Sequence, residues 1–230
     1  MPNHTVASRA EHEAARLELL DAEKQLTRLL DDVARRRRAL PWVPVETDYV
    51  FTSDAGPRTL TDLFDGRGQL IVWHFMFGDD WEEGCPSCSF WADGYDGMVP
   101  HLAARDVALV AVSTAPVDRL LAYRERMGWS FPWVSSGGTT FNRDFEVAGS
   151  SRYNYRATAE PIGESPGFST FVRSDGQVFH TYSAYARGLD IFNNAYQMLD
   201  AVARGRDEDD LPWSMAWLRR HDQYDAPSDE

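Results

Sequence analysis

The chain has 230 residues, enough for one elaborated domain or at most two. Its 36 acidic residues outnumber 23 basic ones, and the formal charge of −13 argues against nonspecific binding to nucleic acid or to an anionic membrane. Hydrophobic residues make up 43%, sufficient for a substantial core, yet no apolar run reaches the length a membrane helix needs.

Lys24 is the only lysine, so nearly all positive charge is arginine. Residues 1–5 carry no apolar signal core, and there is a single cysteine pair. A reducing cytoplasm is therefore the expected location.

Residues 8–39 read as one long helix. Ser8 and Glu11 have capping-box spacing, and Leu17, Leu20, Leu29, Leu30 and Val33 give an incomplete apolar stripe. Arg35-Arg36-Arg37-Arg38 falls in the last turn, where cations suit the helix dipole, and Pro41 and Pro44 end the helix. The helix is expected to pack on the following domain or to mediate self-association as a homodimer. A short strand follows at 49–51, then a turn at 53–57 and one helical turn at 59–64.

Leu70-Ile71-Val72-Trp73-His74-Phe75-Met76-Phe77 does not alternate with polar residues and reads as a strand buried on both faces. A loop at 78–84 leads to Cys85, which begins a helix. Gly94 and Gly97 break or kink that path, and Pro100 permits a new helical turn to Ala104. A second buried strand spans 107–112, a helix 116–127 and a short strand 131–134. Residues 148–167 form an irregular, aromatic-rich insertion, read either as a surface loop anchored by tyrosines or as a substrate-facing cover. A β-hairpin at 168–173 and 177–182 turns at Ser174-Asp175-Gly176, and a closing helix spans 189–203. A charged linker at 204–210 precedes a segment with Trp213 and Trp217 that is expected to dock on the domain or a partner subunit. The tail from Asp222 is expected to be disordered.

Strand, loop and Cys85-Pro86-Ser87-Cys88 at a helix start form the redox site of thioredoxin-like folds. Peptide N–H groups at a helix N-terminus stabilise a thiolate, so Cys85 is the expected nucleophile. Cys88, one turn on and facing inward, is close enough to close a disulfide. Two cysteines alone do not make a four-ligand zinc site, and a purely structural disulfide closing so short a loop stabilises little. The element order predicts a thioredoxin-like three-layer α/β sandwich. Its boundaries are a helical extension at 1–44, the domain at 45–203 and a C-terminal extension at 204–230.

Three boxes carry a resemblance: His74-Phe75-Met76-Phe77-Gly78, Gly84-Cys85-Pro86-Ser87-Cys88-Ser89-Phe90-Trp91 and Tyr185-Ala186-Arg187-Gly188-Leu189-Asp190. The chain resembles a bacterial thioredoxin-like family catalogued as a domain of unknown function, across most of its length. The resemblance implies the fold rather than a reaction. Against thioredoxin itself, the inter-cysteine pair is Pro86-Ser87 rather than Gly-Pro. The place of the cis-proline beside the disulfide falls on Phe168, with Pro166 two residues early. The box of proline and threonine before the cysteine that marks peroxiredoxins is missing.

The expected activity is thiol–disulfide exchange, without metal or organic cofactor, on a protein or small-molecule thiol or disulfide. Cys85 attacks and Cys88 resolves. His74, on the strand leading to Cys85, is read either as the proton acceptor under Cys88 or as a satisfied core histidine. Substrate contacts are expected from Trp81, Pro86, Phe168 and Arg187. Arg187 is read either as an anion-binding side chain at the last helix or as the partner of a structural carboxylate. His180 is expected to be a solvated or core residue. The alternative function is a soft-metal-binding protein using Cys85, Cys88 and a histidine.

Overall fold

In the computed structural model, which describes residues 5–224, the chain divides into two units between Trp42 and Val43. The first contains helix α1 (Arg9–Arg38). The Ser8 hydroxyl accepts the Glu11 N–H at 3.3 Å, and the Glu11 carboxylate accepts the Ser8 N–H at 2.8 Å, so the capping box is complete. In the last turn Arg35 and Arg36 both pair with Asp32.

The second unit is built on an eight-stranded sheet. Its elements are β1 (Val43–Pro44), β2 (Val50–Ser53), β3 (Gly56–Thr59), β4 (Gln69–His74), α2 (Pro86–Asp96), α3 (Val99–Ala103), β5 (Val107–Ser113), α4 (Val117–Arg126), β6 (Trp133–Ser135), α5 (Phe141–Asp144), the small pair β7 (Arg152–Tyr153) and β8 (Arg156–Ala157), the hairpin β9 (Gly167–Ser174) and β10 (Gln177–Tyr185), and α6 (Asn194–Leu199). The strand order is β1-β10-β9-β4-β5-β6-β2-β3. β4 and β5 run parallel, joined through α2, while β9 is antiparallel to both β4 and β10. That arrangement of βαβ unit and hairpin is the core of a thioredoxin-like α/β sandwich.

The central strands are buried because helices cover both faces of the sheet. Leu70 and Val72 on β4 pack with Val110 and Val112 on β5, with Phe141 at the start of α5 and Phe145 at its C-cap, and with Leu63 and Phe64 of a 3₁₀ turn at Asp62–Phe64. Trp73, Leu109 and Ala111 point the other way, into a larger cluster with Cys88, Trp91, Leu120, Tyr123 and Tyr196. The period-two alternation thus separates two hydrophobic layers, with the cysteine helix in the larger.

Two expected elements end differently. The strand predicted to reach Phe77 stops at His74, because the Met76 carbonyl turns to accept the Cys85 N–H at 3.1 Å and the Phe77 carbonyl accepts from Ala115 at 2.9 Å. The closing helix predicted over 189–203 is a 3₁₀ stretch (Ala186–Phe192) followed by the short α6. Asn193 divides them: its side chain caps the Tyr196 N–H at 2.9 Å, which starts a new helix.

The C-terminal segment belongs to the second unit. Leu218 is buried and Trp217 packs edge-on against Phe90, whereas Trp213 is exposed, so one of the two tryptophans docks. Glu208 organises this segment by accepting from Tyr196 Oη, Trp217 Nε1 and the Met215 N–H. The expectation of disorder from Asp222 fails at its start: Asp222 pairs with Arg126 at 2.7 Å within a 3₁₀ turn (His221–Gln223). The rest of that expectation, 225–230, lies outside the described residues.

Candidate redox site

Cys85 is the N-cap of α2 and Pro86 its first residue, so the proline's missing N–H falls where a helix has no acceptor to offer. The Cys85 N–H is tied to Met76, and its carbonyl receives both the Ser89 N–H at 3.0 Å and the Ser89 hydroxyl at 2.9 Å. Both cysteines are free thiols, Cys85 half-buried and Cys88 buried.

Their acidities are driven apart. Cys85 is lowered to about 6, first by the hydrogen bond from the Cys88 thiol, then by the Cys88 and Ser87 backbone N–H groups and the Ser87 hydroxyl, against the opposing effect of burial. Cys88 is raised well above the usual thiol range, first by burial, then by its bond to Cys85 and the charge there; Glu164 adds to the rise, and the Met76 N–H, 3.5 Å from Cys88 Sγ, opposes it. At neutral pH the outer sulfur is the thiolate and the inner one holds the proton.

The loop before Cys85 is held by its carbonyls. Arg119 on α4 donates to Asp79 O at 3.0 Å and to Trp81 O at 2.5 Å. Arg220, from the C-terminal segment, donates to Gly84 O at 2.8 Å and to Tyr123 Oη at 2.9 Å, and pairs with Glu83 at 2.7 Å. Tyr123 Oη also meets Ser89 Oγ at 2.9 Å, so a continuous chain runs from Arg220 through Tyr123 and Ser89 to the Cys85 carbonyl. Glu83 is shared with Arg126. Gly84 is required by close approach: a Cβ there would lie 2.7 Å from Phe75 and 2.9 Å from Tyr123.

The expected site residues separate into two groups. Trp81 is half-buried against the larger cluster, in the loop beside the cysteines, and Pro86 adjoins Cys85 in sequence and helix. Phe168 is buried on β9, stacked on Phe192 with centroids 4.2 Å apart. No peptide bond among the described residues is cis. Arg187 is 81% exposed and pairs with Asp190 at 2.7 Å, the structural-carboxylate arrangement, and it lies in the 3₁₀ stretch rather than at a helix start. His74 continues the Leu70 and Val72 register, on the sheet face opposite Cys88, and stacks on Phe141 and Phe145. Its Nε2 lies 2.8 Å from Ser169 Oγ; Ser169 meets Ser183 at 2.7 Å, and Ser183 meets His180 Nε2 at 2.8 Å. This is the core-histidine arrangement, away from the pair. Among the described residues, no group of three His, Cys, Asp or Glu side chains converges to hold a metal ion.

Arg119, Tyr123, Arg220 and Glu164 were not singled out by the sequence, and Glu164 gave the least signal. It lies in the insertion, near neither cysteine in sequence. Its carboxylate lies 2.6 Å from Thr114 Oγ1, which also lies 3.2 Å from Phe77 O, so the single hydroxyl proton serves one of these two acceptors at a time. Burial, then the charges of Asp79 and Asp80, raise its pKa above the usual carboxylate range, against the hydrogen bond from Thr114. The only sequence signal was the length of the insertion that carries it. The insertion is also anchored by tyrosines: Tyr153 Oη donates to Pro166 O at 3.1 Å and accepts the Ala186 N–H at 3.1 Å, and Tyr155 Oη donates to Ser183 O at 3.0 Å.

Among solved structures, the chain is similar to peroxidoxin BcpB from Mycobacterium tuberculosis, with 19% identity over 66% of this chain and 92% of that one, at a TM-score of 0.46. It is also similar to peroxiredoxin Q from Xanthomonas campestris, with 13% identity over 66% of this chain and 94% of that one, at a TM-score of 0.49. No curated protein matches the sequence. The family described as "Bacterial protein of unknown function (DUF899)" matches residues 1–224, nearly the whole chain, and the protein belongs to it.

Proposed function

We propose that the protein is a thiol–disulfide oxidoreductase acting on a protein or small-molecule thiol or disulfide. One observation carries the reading: two free cysteines, one turn apart at a helix start, with the outer thiol lowered to about 6 and the inner raised. In the proposed cycle Cys85 thiolate attacks a substrate disulfide, forms a mixed disulfide and expels one thiolate. Cys88 then attacks Cys85 Sγ and releases the second substrate thiol. Trp81 and Pro86, beside Cys85, are the proposed substrate contacts.

The test is alkylation of the reduced protein with limiting iodoacetamide across pH, followed by mapping of the adduct. Cys85 labelling is expected to predominate and to reach half its maximal rate near pH 6. Preferential labelling of Cys88 overturns the assignment. The soft-metal alternative asks for a histidine beside the pair, whereas His74 and His180 belong to the serine chain on the opposite face. Metal analysis of protein purified under reducing conditions separates it from the redox reading: stoichiometric metal supports binding, and a metal-free, alkylatable pair supports exchange.

A further inference from the structure

Helix α1 is 30 residues long, and none of its residues is buried. A helix in a folded protein draws most of its stability from the packing of an apolar face. Ala15, Leu19, Ala22, Leu26, Leu29 and Val33 follow one another at alternating spacings of four and three residues, so they form one seam with a period of seven. Its large members lie open: Leu19 and Leu26 are 54% exposed and Leu29 58%. Leu17, 58% exposed, falls on the far side of the helix.

The flanks of the seam separate two uses of such a face. A helix that packs on a globular core carries an apolar flank beside the seam, whereas a seam bordered by polar residues on both sides is the narrower one that meets a second helix. Between Glu11 and Arg37 the flanking positions are charged or polar except at Leu30. We propose that α1 is an interface for a second copy of this chain, the two α1 helices forming a parallel, in-register, two-stranded coiled coil along the seam. The interface is independent of the redox reading.

Charge decides the orientation. With the helices parallel, Glu11 faces Arg16 of the second copy and Asp32 faces Arg37 of the second copy. Glu18 faces Glu23 of the second copy, beside the Arg16 that pairs with that Glu23 at 2.7 Å in its own helix. With the seams overlapped antiparallel, Glu18 meets Asp32, Glu23 meets Glu23, and no opposite pair forms along the seam; like charges so placed select against that arrangement. Ala15 and Ala22 limit the number of strands. They let two helices approach closely and supply too little volume to fill the wider axis of three or four.

The test is sedimentation equilibrium of the full chain across a concentration series. The wild type is expected at twice the chain mass. Leu26→Glu removes two buried leucines from each dimer and is expected to raise its dissociation constant at least about a hundredfold. Leu17→Glu makes the same change at a similarly exposed leucine off the seam and should leave the constant unchanged. Orientation is read with Ala15→Cys in a chain that also carries Cys85→Ser and Cys88→Ser. Mild oxidation should cross-link the parallel dimer through position 15, whereas the antiparallel one holds the two positions about 27 Å apart along the axis. A wild type that stays monomeric at every concentration overturns the proposal; a melting temperature lowered by Leu26→Glu but not by Leu17→Glu would then give the seam to another surface of the same chain. A dimer that survives Leu26→Glu as it survives Leu17→Glu places the contact elsewhere and overturns it too. A dimer without the cross-link overturns the parallel arrangement.

Discussion

His74 shows how one side chain sets a pH limit on stability. The chain His74–Ser169–Ser183–His180 has three hydrogen bonds among four atoms. The two hydroxyls supply two protons, so one imidazole Nε2, and only one, supplies the third. Nδ1 of His74 is buried without a partner among the described residues, and an orphan donor there costs free energy. The network therefore assigns the Nε2–H tautomer to His74, donating to Ser169, with His180 Nε2 accepting from Ser183. Burial, then the charge of His180, lowers the His74 pKa from 6.5 to about 3. The folded state keeps it neutral while the unfolded chain protonates below 6.5. Stability from this residue is therefore full above pH 6.5 and lost progressively as pH falls towards 3, on the order of 5 kcal/mol in total. Urea midpoints at pH 7.5 and 4.5 are expected to differ less in His74→Gln than in the wild type. Its thiol kinetics per folded molecule should be unchanged; slowed resolution would return His74 to the chemistry.

At the scale of elements, the redox loop depends on what is packed beneath and behind it. Gly84 lies over the Phe75 and Tyr123 rings, both inside the larger cluster. Gly84→Ala forces these rings to move and is expected to cost about 1–3 kcal/mol, as overpacking does. Arg220 clamps the same loop from the C-terminal segment, with its side chain 14% exposed and four acceptors engaged, Gly84 O, Tyr123 Oη, Glu83 and Gln223. Arg220→Met removes a charge-assisted contact to Gly84 O and leaves Glu83 with Arg126 as its remaining partner. A loss of about 1.5–3 kcal/mol is expected. Faster backbone amide exchange at 84–89 should accompany it, because those amides lie along the chain that ends at Arg220. Unchanged exchange there would show that the loop holds itself.

At the scale of the whole molecule, the C-terminal segment acts as part of the second unit's core. Leu218 is buried, Trp217 packs on Phe90 of α2, and His221 and Trp129 both meet Asp93. Truncation after residue 210 removes Leu218, Trp217 and the Arg220 clamp together. Burial of one leucine alone is worth about 1.5–3 kcal/mol. The melting temperature is expected to fall by at least about 5 °C, read by calorimetry, with Cys85 becoming more readily alkylated. A truncated chain that melts with the full-length protein would make the segment a passive appendage.

What the sequence determined by itself was local. Capping at Ser8 and Glu11, the unbroken apolar runs of β4 and β5, the turn at Ser174-Asp175-Gly176 and a cysteine at a proline-led helix start all follow from interactions between near neighbours. These were enough for the fold class, and they pointed to Cys85 as the reactive thiol. Tertiary structure decided what depends on the face of an element and on distant approach. A strand's side chains alternate, so the register that carried Trp73 towards α2 carried His74 away from it; from the sequence, an all-apolar run shows no preferred face. Glu164 lies 50 positions from Thr114, and Arg220 lies 136 from Gly84. No pattern of spacing encodes such a meeting, because it is set by how the insertion and the C-terminal segment fold back over the sheet. The low-pKa thiol was legible because the groups that lower it, the Cys88 thiol first and then the Cys88 and Ser87 backbone N–H groups, lie within four residues of Cys85. The groups that serve it were not, because they reach it only once the core has formed.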